Sequence, residues 1–372
     1  MAEAPHDTHD DETTTLARLV SGWPMRADAA AGASARVVAQ HLAQLGPDEL
    51  AKESDPALLR AGSALLSTGD DEAAARCFAA LDSREAVAGT ARLGLAWASW
   101  ARGQADACAD GLRAAMELDA GLDLLPEGST LVQVRARAGA LSVLAAKDDD
   151  GEHDVERIGL ERPLLPAERE ALEAAAEALA GLQASAVAGY GELSVLEHGA
   201  RIRRASRPGA PLSTQLGEAP RSLEDALAIV EPLAAGLSAA HGAGVTHGAV
   251  GAELVGMGDD GPVLHGLGLG SVLAPTTADV ASGRVAPERL SGGPASAAAD
   301  AYALAALLYR LLTGHDPLGA VPRPSAQGLD ARLDELFAQA LHPDPASRSS
   351  VDALLEQARE IATTKAPPAA AP

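Results

Sequence analysis

Aromatic side chains make up only 2% of this chain of 372 residues, although 47% of its residues are hydrophobic. A core with so few rings has to be packed from Ala, Leu and Val, a composition that leans toward helix. The length suits two domains, or one large and one small. The order of patterns narrows the choice further. Helical spacing comes first, then short strand-like stretches around one long helix, then helices again.

Residues 1–15 are acidic and polar, with neither a positive start nor an apolar run. They read as a disordered leader and not as a signal peptide. Residues 16–122 read as helical. Leu16, Leu19, Val20 and Trp23 follow helical spacing, as do Val37, Val38, His41, Leu42 and Leu45, after which Gly46-Pro47 ends the helix. Two similar stretches, Gly69 to Ala74 and Gly103 to Cys108, start 34 residues apart. With Gly62, Leu65, Phe78 and the run Ala115 to Asp119, they make residues 55–122 resemble two tetratricopeptide repeats, helix–turn–helix units of that period. Trp97 and Trp100 fall on nearly one helical face and are expected in the core.

The pattern changes near Leu124. Short apolar stretches flank the turn Asp148-Asp149-Asp150-Gly151 and predict a hairpin. A long helix from about Pro166 to Leu182 follows, with Glu168 and Glu170 near its N-terminal end. Short strands are expected at about Leu193–Glu197 and Arg201–Ser206. Beyond Arg207-Pro208-Gly209 the pattern is mainly helical. The expected fold class is therefore α+β, two-lobed, behind an all-α N-terminal region.

A set of motifs occurs in order between Leu223 and Arg348. Helix Leu223–His241 leads into Gly242-Ala243-Gly244-Val245-Thr246-His247. Ala286-Pro287-Glu288 follows, then Asp300-Ala301-Tyr302-Ala303-Leu304, then Leu311 to Gly314, and finally His342-Pro343-Asp344-Pro345-Ala346-Ser347-Arg348. Taken together this stretch resembles the C-lobe of bacterial serine/threonine protein kinases. The resemblance implies an N-lobe over 124–206 and a C-lobe over 207–362, and the Pro/Ala-rich stretch 363–372 reads as a disordered tail.

The same resemblance locates the positions where phosphoryl transfer would take place. The family's catalytic loop runs H-R-D-L-x-x-x-N, and here it runs His247-Gly248-Ala249-Val250-Gly251-Ala252-Glu253-Leu254. Ala249 stands at the base, Leu254 at one magnesium ligand and Gly266 at the other. Magnesium prefers carboxylate oxygens, and no acid occurs between Asp260 and Asp279. The glycine loop reads Ala136, Ala138 and Leu141 at its three expected glycines, and the strand lysine position falls near Ile158. No lysine lies between Lys147 and Lys365. What remains is structural: the resemblance implies a Glu288–Arg348 ion pair, an Asp300 that braces the catalytic-loop backbone, and a His247 packed beneath it. The expectation is a pseudokinase with no bound cofactor or metal, not an enzyme, acting as a protein-binding scaffold or regulator in bacterial signalling or assembly. One alternative is an atypical kinase-like enzyme with displaced catalytic residues. Another is a helical-repeat adaptor that carries a kinase remnant.

The formal net charge of −23 disfavours nucleic acid and anionic membrane and is compatible with basic protein partners. No apolar run approaches the ~20 residues a membrane span requires. Cys77 and Cys108 form no metal or disulfide pattern and read as buried reduced thiols in a cytoplasmic protein. The sequence does not set the oligomeric state.

Overall fold

The computed structural model describes residues 37–38, 40–42, 44–122, 124–160, 163–182, 186–187, 191–217, 219–272, 283–318 and 321–364. The expected leader, the helix through Leu16 to Trp23 and the tail from residue 365 lie outside them. The chain divides into two units, one running to Glu127 and the other starting at Gly128.

The first unit is helical. Helix α1 (Asp55–Thr68) ends at Gly69, whose φ of 81° only glycine adopts readily, and its amide bonds back into the last turn. Asp70 then caps α2 (Asp71–Ala79) by accepting from the Ala73 amide at 3.2 Å. Gly103, with φ of 75°, turns α3 (Ala88–Ala101) into α4 (Ala105–Leu118) in the same way. The recurrence seen in the sequence thus becomes two helical hairpins. Phe78 explains two small residues: a Cβ on Gly62 would stand 2.6 Å from its ring, and one on Gly94 would stand 2.5 Å away. Cys77, Cys108 and Trp97 are buried, while Trp100 is half-buried.

The second unit opens with strands β1 (Thr130–Ala138), β2 (Leu141–Asp148) and β3 (Gly151–Gly159). Helix α5 (Pro166–Leu179), β4 (Leu193–Leu196) and β5 (Gly199–Ala205) complete an antiparallel sheet of order β1-β2-β3-β5-β4. The predicted hairpin is therefore the β2–β3 half of a three-strand meander. Glu168 accepts the Leu165 amide at 2.9 Å and caps α5.

A segment through Arg207 leads to a small three-stranded sheet of β6 (Ala210–Pro211), β7 (Val255–Gly258) and β8 (Gly261–Leu264). Sequence patterns do not show this sheet, because its strands are short and rich in glycine and proline. Helix α6 (Leu223–Gly242) packs with α7 (Ala297–Thr313), α8 (Arg332–Ala340) and α9 (Val351–Thr363) around one apolar core. Leu233, Leu237, Leu308 and the edge-on ring pair Tyr309–Phe337, 5.3 Å apart, sit at its centre. Among the described residues no helix is long and apolar enough to cross a membrane.

Candidate functional site

The site is organised around α7. Ser296 caps the helix by accepting the Ala299 amide, which sets its first turn, and Asp300 lies in that turn with 1% exposure. Its Oδ2 accepts the His247 amide at 2.7 Å, and its Oδ1 accepts the Gly248 amide at 2.7 Å. His241 Nε2 lies 2.9 Å from Oδ2. One carboxylate thereby fixes the start of the loop that holds Ala249.

His247 is fully buried. Its Nδ1 accepts the Ala249 amide at 3.1 Å, which leaves the proton on Nε2, 2.9 Å from the His265 carbonyl oxygen. Burial keeps its pKa below the usual histidine value, despite the opposing pull of Asp300. The neutral ring is a spacer between two loops. Elsewhere in the same lobe, Glu288 and Arg348 meet in a two-pronged ion pair.

The positions at which chemistry was expected have been turned into packing. Ala136, Leu141, Ile158 and Leu254 belong to a single buried cluster with Leu172 of α5 and Leu269, and half-buried Ala138 and Ala249 pack against it. Gly266 has φ of 91°, and a Cβ there would stand 2.7 Å from Leu141 Cδ1. The structure thus brings the scattered degenerate positions of both lobes into contact.

Sequence reasoning missed the polar half of the cleft. On β3, Asp154, Glu156 and Ile158 alternate onto one face, and all three are buried. Asp154 Oδ1 takes Arg135 Nε of β1 at 2.6 Å, and its Oδ2 takes the Arg207 amide at 2.9 Å. Glu156 accepts Arg204 Nε of β5 at 2.5 Å and the Gly266 amide at 3.0 Å, and its Oε1 lies 3.0 Å from His265 Nδ1. Arg204 Nη2 also donates to the Leu267 carbonyl at 2.7 Å. Burial alone would raise the Glu156 carboxyl. Arg204 and His265 outweigh it and hold it at about 2. The available signal was two acids spaced by two in an otherwise inward-facing strand.

These residues do not fit a magnesium nucleotide as the resemblance implies it. Ala249, Leu254 and Gly266 supply no side-chain oxygen, and the acids of the cleft already hold arginines. Among the described residues no cluster of three His, Cys, Asp or Glu side chains could hold a metal ion.

Beside the loop lies a pocket of about 180 Å³ lined by Ser213, Glu253, Arg284, Arg310 and Asp316 over a floor that includes Leu307. Glu253 pairs with Arg284, and Arg310 Nε stands 3.9 Å from Asp316. Burial raises the Asp316 pKa above the usual carboxylate value, with Arg310 and Arg284 opposing it. Two guanidiniums beside two carboxylates form a charged pocket that can meet an anionic group and exchange a proton with it.

Solved structures share this architecture. The kinase domain of PknI from Mycobacterium tuberculosis superposes with a TM-score of 0.55 at 22% identity, covering 64% of this chain and 98% of that one. The fold is a two-lobed protein-kinase fold. Serine/threonine-protein kinase PknL of M. tuberculosis H37Rv is 36% identical over 145 residues, 33% of this chain and 36% of that protein. Serine/threonine-protein kinase PkaB of Streptomyces coelicolor is 34% identical over 184 residues, 41% of this chain and 43% of that protein. The chain therefore spans well under half the length of these relatives, and no family model matches it. The expectation that the chain is not an enzyme is corrected by these findings. Its relatives are named as serine/threonine kinases and its structural neighbours are kinase domains. The empty positions in the loop show that the usual side chains are missing there, and they leave open chemistry by side chains from other elements.

Proposed function

We propose that the chain is a kinase-like signalling protein of an atypical kind, in which phosphoryl transfer runs through residues displaced from positions 249, 254 and 266. The supporting observation is the contrast within one loop. Its backbone is braced by Asp300, yet the acid–base and anion-binding groups stand next door, in the pocket of Glu253, Arg284, Arg310 and Asp316. In this reading Asp316 or Glu253 takes the proton of an attacking hydroxyl, and the two arginines hold the anion.

Full-length protein is incubated with γ-labelled ATP, magnesium or manganese and a basic acceptor protein, beside the D316N and E253Q variants. Label transferred by the parent chain and lost in either variant supports the reading. An absence of transfer by the parent chain in every mixture contradicts it.

The second reading is a protein-binding scaffold, cytoplasmic as the composition implies, with the helical repeats as one arm. The recurrence of the two hairpins at 34-residue spacing supports it. Their tetratricopeptide character, the domain limits at 122 and 206, and a basic partner are part of this proposal. Partners captured by the full chain but lost when residues 55–122 are deleted would support it. Retention of every partner would count against it.

A further inference from the structure

Strand register lines up one row of residues across all five strands of the larger sheet. Arg137 of β1 lies opposite Ser142 of β2, Ser142 opposite Arg157 of β3, Arg157 opposite Arg201 of β5, and Arg201 opposite Ser194 of β4. Their chain neighbours fix the face they occupy. Ala136, Leu141, Ile158 and Ile202 lie in the buried cluster with Leu172 of α5, and Leu193 packs on it. Successive side chains alternate across a sheet, so the row is on the other face. Ser142 is buried there, and the three arginines and Ser194 are half-buried. Elsewhere in the sheet arginines meet acids: Arg135 holds Asp154, Arg204 holds Glu156, and Arg203 holds Asp148 at 2.7 Å. The row instead sets one arginine directly opposite another, flanked by hydroxyls, with no acid among its five members. Like charges opposed across strands repel. The three arginines are also engaged within the chain. A guanidinium carries five N–H donors in a planar fork, so engagement at one edge leaves the other edge for a ligand.

We propose that this row is a docking site for a phosphorylated serine or threonine segment of a protein partner. Arg157 and Arg201 stand one strand spacing apart, about 4.8 Å, and Arg137 stands two spacings from Arg157. A phosphate monoester is a compact anion of nearly two charges with three acceptor oxygens, and the forks of two arginines match it bidentately. Placed between the opposed guanidiniums, it turns their repulsion into attraction. The net charge of −23 decides among anionic partners. It repels the extended charge of nucleic acid or an anionic membrane, whereas a single phosphate on an otherwise neutral segment meets the local field of the row. The row shares no residue with the Glu253–Asp316 pocket, so the proposal stands apart from the transfer reading.

The test is fluorescence anisotropy of the full chain with a labelled peptide that carries one phosphothreonine among uncharged residues. Its unphosphorylated form, inorganic phosphate as competitor and a single-stranded oligonucleotide are run beside it. R157Q/R201Q removes both opposed charges, and R157K/R201K keeps the charges but loses the forks. Thermal melts verify that each variant is folded, and the single variants R157Q and R201Q carry the same test where a double variant is not. Expected are saturable binding of the phosphopeptide at least about 10-fold tighter than its unphosphorylated form, a loss of about 10-fold or more in R157Q/R201Q, and a smaller loss in R157K/R201K. Equal binding of the two peptide forms overturns the proposal, as does a folded R157Q/R201Q that binds like the parent. Displacement by inorganic phosphate at the peptide's own concentration, or tighter binding of the oligonucleotide, overturns it too.

Discussion

Arg348 is clamped to Glu288 by two parallel bonds, Nη1 to Oε1 at 2.7 Å and Nη2 to Oε2 at 2.6 Å. The guanidinium is saturated: Nε donates to the His342 carbonyl at 2.7 Å, Nη1 to Ala298 and Nη2 to Pro343, and the cation lies 5.0 Å from the Tyr302 ring centroid. This is the geometry in which arginine and lysine are not interchangeable. The Arg348 side chain is wholly buried, so its loss strands Glu288 and three carbonyls.

R348A is therefore expected to cost about 3–5 kcal/mol, a drop of roughly 10 °C in melting temperature for a unit of this size. R348K should fall between R348A and the parent. A thermal melt of R348A matching the parent would exclude this role for the pair.

Putting the family's chemical residues back should damage the protein and not rescue it. G266D places a Cβ at positive φ against Leu141, and L254N buries an amide in an apolar cluster. Each is expected to lose about 2–4 kcal/mol in urea titrations. An unchanged midpoint in either variant would show that the cleft can rearrange to accept a metal ligand.

Acid should weaken the cleft in two windows. Glu156 is held at about 2 when folded, against an ordinary 4.5. Its contribution is complete above 4.5 and is lost as pH falls toward 2. His247 is held below its ordinary 6.5 by burial, so unfolding takes up a proton once pH drops under that value, and stability declines there. Relief of the chain's negative charge opposes both effects, so the measurement is a difference. The stability gap between the parent and E156Q should shrink below about pH 4.5, and the parent should lose ground to H247Q below about pH 6.5. Gaps that stay constant over roughly pH 3–8 would contradict both assignments.

How legible this was depended on the kind of residue. Glu288, Asp300 and Arg348 could be named from the sequence because each occupies a fixed place in a motif of the family the chain resembles, and helices α6 and α7 came with those same motifs. The glycine turns at Gly69 and Gly103 were equally readable. The Asp154–Arg135 and Glu156–Arg204 pairs were not, because their partners are 19 and 48 residues apart and meet only through strand register. Nor could the sequence show that Leu141, Ile158 and Leu254 touch. Each reads alone as a missing functional group, and only the fold turns the three losses into one apolar contact. The expectation of inactivity came from that gap, since absent side chains at three positions say nothing about those brought in from elsewhere.

Cys77 should behave as an inert thiol. Burial pushes it up to about 12, with Arg76 opposing, so thiolate is scarce near neutral pH. Ellman's reagent should label it at least about 100-fold more slowly in buffer than in concentrated urea. Labelling of Cys77 in the folded chain at the rate of a free thiol would contradict its burial.

The central claim is that the chain itself consumes the polar groups along its cleft, and hydrogen exchange reads that claim directly. The amides of Arg207, Gly266, His247 and Gly248, each bonded to a buried carboxylate, should exchange only on global unfolding of the second unit, as slowly as amides in the middle of α7. Exchange of the Arg207 and Gly266 amides within seconds at neutral pH, with α7 still protected, would contradict it.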